Sequence, residues 1–150
     1  MKKPISLLLC AAMAAANISC SKSYLDTIRE PESLFYRGKF REAAKALRPL
    51  SKKRGRDQLL YMMECGYIHH AAGNYNASNE VLLPASDLAR IVPVSVSREA
   101  ASLLTSDTVT NYRGEDFEKV LVRMYLGINF LMLGGYDDAR VEFKAVNNEL

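Results

Sequence analysis

Three stretches of the chain repeat one arrangement of small, aromatic and large apolar positions. "LFYRGKFREAAKAL", "HHAAGNYNASNEVL" and "LMLGGYDDARVEF" each place a glycine two residues before an aromatic: Phe40, Tyr75 or Tyr136. A small residue follows three later (Ala43, Ser78, Ala139), and a bulky apolar one four after that (Leu47, Leu82, Phe143). Offsets of three and four align side chains on one face of an α-helix, so each stretch predicts a helix starting just after its glycine. The chain also reads as helix before each glycine, which makes the glycine the break in a helix hairpin. Fixed offsets in three copies are an internal repeat, and a repeat outranks local propensity as a guide to architecture. Gly38 and Gly73 lie 35 residues apart and Gly73 and Gly134 lie 61 apart, so roughly one further helix and a loop intervene before the third copy. A short helix is expected around residues 98–105 and a polar loop over 107–113. Gly114, Glu115 and Asp116 then begin a long helix carrying Phe117, Val120, Leu121, Met124 and Tyr125.

The third copy shows why a glycine is needed. Gly134 ends a helix where the backbone must turn left-handed, which costs other residues energy. Asp137 and Asp138 fall in the first turn of the next helix, where negative charge suits the dipole. Tyr136 is expected to pack the turn, and Gly127 and Ala139 are small enough to let the two helices approach closely. The final helix carries Val141, Phe143, Ala145 and Val146, and no sequence after "NNEL" supplies a cap. Part of that apolar surface is therefore expected to stay open for self-association or a partner, unless the chain is a shortened version of a longer protein.

These residues resemble the tetratricopeptide repeat (TPR), a 34-residue pair of antiparallel helices. In the third copy Leu126, Gly127 and Phe130 precede Gly134, Tyr136, Ala139 and Phe143 as in that family's pattern. In the second, Cys65, Gly66, His69, Gly73, Tyr75 and Ser78 keep the spacing; in the first, Pro31 stands at the first-helix glycine position. The resemblance implies an all-α fold of antiparallel helix hairpins stacked as a short TPR-like solenoid, whose concave face binds peptide or protein segments. The run from Tyr112 to Phe143 also resembles bacterial repeat-containing lipoproteins without an assigned biochemical activity. That resemblance suggests a relative rather than a function; the stacked solenoid is what points to an interaction scaffold rather than an enzyme.

The first twenty residues, "MKKPISLLLCAAMAAANISC", pair two lysines with an apolar run and a small-residue end, as export signals do. The apolar run holds about a dozen residues, where a permanent span needs roughly 20. Here the chain resembles bacterial lipoproteins: Ile18, Ser19 and Cys20 suit a lipobox, although Asn17 stands where an apolar residue is usual. The resemblance implies lipidation of Cys20, enough acyl chains for stable anchoring, and, with Ser21 next, an outer-membrane position facing the periplasm. The expected division is a signal over 1–19, a lipidated N-terminus and linker over 20–31, and the helical repeat domain over 32–150. Cys65 is then a lone thiol, so the fold relies on its core rather than on disulfides.

Composition adds few constraints. Net charge is +3, and removing Lys2 and Lys3 leaves 18 basic against 17 acidic residues, about +1. A near-neutral body argues against nucleic acid as a partner. "RPLSKKRGRD" concentrates Arg48, Lys52, Lys53, Arg54 and Arg56, read as a solvated loop or as a contact for anionic envelope surfaces. His69 and His70 point about 100° apart on a helix and cannot share a metal. Cys65 and His69 could, but they also fall on packing positions and lack a third ligand. Glu115, Asp116 and Glu118 suit a helix start better than acid–base catalysis. No phosphate-cradling motif occurs, and no cofactor or metal is implied. Tyr112, Arg113, Glu115 and Asp116 are the candidate interaction residues outside the repeat. The alternative function is an enzyme or enzyme subunit using residues 95–116 as a substrate loop.

Overall fold

The computed structural model describes residues 23–90, 112 and 114–149, and every element in them is an α-helix. Six helices follow one another: α1 (Tyr24–Tyr36), α2 (Phe40–Lys52), α3 (Gln58–Ala71), α4 (Tyr75–Arg90), α5 (Asp116–Met132) and α6 (Tyr136–Glu149). Each packs against the next in sequence, and α3 also reaches α5. The chain is thus an all-α stack of helix hairpins, the architecture its repeat predicts. The expected helix at 98–105, the loop ahead of Tyr112 and the signal segment lie outside the described residues.

The three hairpins close with one and the same turn. Gly38, Gly73 and Gly134 take φ of +73°, +72° and +79°, the left-handed region where only glycine is unstrained. Each glycine N–H donates to the carbonyl three residues back, on Phe35, His70 or Leu131, and the following N–H donates to the carbonyl five back, on Leu34, His69 or Phe130. All six bonds measure 2.8–3.0 Å and satisfy carbonyls that a helix end leaves open. The next helix begins as Ala43, Ser78 and Ala139 donate to the carbonyls of Lys39, Asn74 and Gly135.

Close approach explains the small residues. Ala43, Ser78 and Ala139 are buried to 1% exposure or less. A side chain at Gly66 would overlap Leu82, and a Cβ at Gly127 would come within 2.6 Å of Phe143. Gly127→Leu is therefore expected to lower stability by about 1–3 kcal/mol through overpacking. Arg140→Ala, which removes only a surface pair with Asp137, should cost less than about 0.5 kcal/mol. Equal urea midpoints for the two variants would show that the packing face is misassigned.

Two clusters form the interior. Ala43, Ala44, Leu47, Cys65 and Ile68 join α2 to α3. Leu59, Met62, Met63, Leu82, Ala85, Ala89, Val122 and Leu126 join α3, α4 and α5.

Two expectations need correction. The stretch 20–31 is not wholly linker, because α1 starts at Tyr24 behind Ser23, whose Oγ accepts the Asp26 N–H at 3.2 Å. Ile28 packs on the first cluster and the Tyr24 ring lies 5.4 Å from Tyr61. Pro31 costs α1 one backbone hydrogen bond, yet its ring is buried, and that packing keeps the helix continuous. Tyr136 does not pack its turn; it is 73% exposed. Phe40 and Tyr75 stack on Phe35 and His70 at 5.2 and 5.6 Å, but the matching position below Tyr136 is Leu131, which offers no ring and is itself exposed.

Candidate functional site

Stacking hairpins of equal geometry brings their first helices together, and the groove between α1, α3 and α5 holds about 310 Å³. Its apolar floor includes Ile28, Pro31 and Leu47, and its walls carry Phe35, Tyr67 and Tyr125. Tyr67 and Tyr125 lie 4.5 Å apart at a tilt, and the His70 ring meets Tyr125 edge-on at 4.7 Å. The Tyr67 hydroxyl is buried and has no hydrogen-bond partner. Burial, then the nearby Tyr125 and the carboxylates of Glu118 and Glu64, push that hydroxyl's pKa up. Glu32 and Glu64 bring carboxylates to the same groove. Glu64 accepts a 3.3 Å bond from the Tyr24 hydroxyl; burial pushes its carboxyl up, against the pull of that bond and with smaller pushes from Glu32 and Glu118.

A buried polar network holds the groove's back wall in register. The Asn129 amide donates to Ser78 Oγ at 2.8 Å and to Asn79 Oδ1 at 2.9 Å. Its oxygen faces His70 Nδ1, which places that ring's proton on Nδ1. Ser78 Oγ in turn donates to the Gly66 carbonyl at 2.8 Å. Helices α3, α4 and α5 are tied together by this one set of groups.

The residues singled out from sequence fall in different places. Gly127, Phe130, Gly134 and Ala139 build the third hairpin, with Phe143 covering Gly127 while keeping 37% exposure. Glu115 and Glu118 form a capping box, and Asp116 pairs with Lys119 at 2.9 Å. Tyr112 donates its hydroxyl to Glu118 and its N–H to the Arg56 carbonyl. Burial, then Glu118, push the Tyr112 hydroxyl up to about 12. These groups start α5 and tether its approach. Arg113, Cys20 and most of the 95–116 loop lie outside the described residues.

Cys65 is buried against the Ala44 carbonyl, and burial pushes its thiol up. His69 Nδ1 is buried without a partner, and burial followed by Arg48 pushes the ring's pKa down against the opposing pull of Glu80. Among the described residues no three metal-ligating side chains converge. The basic stretch is not all loop: Arg48 and Lys52 belong to α2, near its C-terminus, where cations suit the dipole.

A second hollow of about 560 Å³ lies at the α5–α6 end, lined by Leu131, Tyr136 and Phe143 among others. It is wider and shallower than the groove, and it draws on two helices rather than four. No helix among the described residues is long and apolar enough to cross a membrane. Sequence reasoning missed Glu64, Asn129 and the buried Arg123–Glu142 pair, which spans 2.8 Å. A signal for the pair was present: Arg123 lies four before Gly127 and Glu142 three after Ala139, on the faces those small residues mark. Comparison with known proteins finds no family, no curated protein and no solved structure that matches the chain.

Proposed function

We propose that the chain is an exported, lipid-anchored helical scaffold of the bacterial envelope, which holds a protein or peptide segment in the groove between α1, α3 and α5. The observation that carries this reading is the groove's lining: an apolar floor, aromatic walls and the carboxylates of Glu32 and Glu64. Such a mixture suits a segment that buries apolar side chains and meets the carboxylates with polar groups. Export and anchoring rest on the sequence of residues 1–20 and its resemblance to lipoprotein signals. An outer-membrane position facing the periplasm follows the same resemblance through Ser21.

One preparation tests both halves. A photoreactive residue replacing Tyr36, which stands 78% exposed on the groove's rim, should crosslink to a protein in intact envelopes. The same residue at Arg140, away from the groove, should not capture that protein. Mass analysis of the extracted chain should show loss of residues 1–19 and an acylated Cys20. Absence of any rim-specific crosslink would overturn the scaffold reading, and an unmodified Cys20 would overturn the anchor.

A second copy is the proposed occupant of the α6 end, where Leu131, Val141 and Phe143 stay exposed. Concentration-dependent sedimentation of the form lacking residues 1–20 supports this; a monomer at high micromolar concentration rules it out.

A further inference from the structure

The groove has a charge it does not balance. Its lining contains Glu32 and Glu64 but no lysine or arginine. Glu64 has the Tyr24 hydroxyl as its hydrogen-bond donor, and neither carboxylate forms an ion pair among the described residues. Glu32 stands exposed and Glu64 half-buried; the two carboxylates repel each other, and the charge on Glu64 is partly withdrawn from water, where a negative group without a cation is costly. Beside them stand the rings of Phe35, Tyr67 and Tyr125, the two tyrosines packed on each other at 4.5 Å, and aromatic rings attract cations within about 6 Å. Beneath lies an apolar floor suited to the methylene stem of a long basic side chain.

We propose that the groove takes a cationic side chain, an arginine or lysine presented by an extended segment of a partner protein. The proposal rests on the scaffold reading and adds the ligand's charge to it. Glu32 and Glu64 neutralise the head group, and the aromatic rings of the lining stand beside it. An acidic segment would meet two like charges, and a neutral one would leave them uncompensated.

The test uses the full chain in detergent and four acetylated, amidated octapeptides. They are identical except for a central arginine, lysine, norleucine or glutamate. The arginine and lysine peptides should bind, shifting the ring signals of Tyr67 and Tyr125 in NMR spectra. The norleucine peptide, which keeps the stem and loses the charge, should bind at least about tenfold more weakly, and the glutamate peptide more weakly still. The double variant E32Q/E64Q should weaken the arginine peptide about tenfold and flatten its salt dependence, since screening acts on the charge interaction. Equal binding of the norleucine or glutamate peptide overturns the proposal, as does no binding by any peptide or an E32Q/E64Q variant that binds arginine unchanged. The Tyr36 crosslink separates this failure from that of the scaffold reading. A captured segment that is acidic or neutral defeats the cationic ligand and leaves the scaffold standing. A crosslink to residues 52–56 of a second copy keeps the chemistry but overturns the separate partner.

Discussion

Glu142→Ala is expected to lower stability by about 3 kcal/mol, because it removes the carboxylate from a guanidinium that stays inside the protein. Arg123 and Glu142 have side chains only 9% and 8% exposed, and they join α5 to α6 at 2.8 Å. An ion pair so placed gains from the low local dielectric, but each member also gave up its hydration. The cost therefore falls mainly on the variant that keeps one charge. Arg123→Met combined with Glu142→Leu should recover most of the loss, since an apolar pair of similar volume often matches a buried salt bridge. Urea titrations of the single and double variants check this through their midpoints, with slopes unchanged. A loss below about 1 kcal/mol for Glu142→Ala would be the value of an exposed pair and would show that Arg123 does not depend on Glu142 for its compensation.

Asn129→Leu is expected to cost about 2–4 kcal/mol by leaving the His70 Nδ1–H and the Asn79 amide oxygen buried without their partner. Ser78 keeps its bond to the Gly66 carbonyl, so the damage concentrates on those two groups. A double-mutant cycle identifies the cause. In the Asn129→Leu background, His70→Phe should cost less than it does alone, because the orphaned ring proton is then gone. The coupling should be about 0.5–3 kcal/mol. Additive effects would mean that His70 and Asn129 do not share a bond in solution.

The hairpins were legible in the sequence because their causes are local. A glycine at φ near +70°, a small residue five later and a bulky one beyond it are fixed by one turn and one helix face. Gly38, Gly73 and Gly134 announce themselves on that basis. The start of helix α1 was placed too late, because Pro31 breaks a pattern that only tertiary burial of its ring repairs. Tyr136 was misread because a turn aromatic packs only where the preceding helix offers a ring. The groove was harder still. Glu32, Glu64 and Tyr67 look like ordinary helix-surface residues until stacking sets α1 beside α3 and α5. Asn129 gives only a weak hint, a polar residue within an apolar run.

Contacts concentrated between successive helices make the molecule a row rather than a ball. Such a row has low contact order, so its hairpins can form quickly and separately. Opening is then graded along the row. Amide hydrogens of α1 and α6 exchange by fraying, whereas those of α3, with packed neighbours on three sides, wait for the middle to come apart.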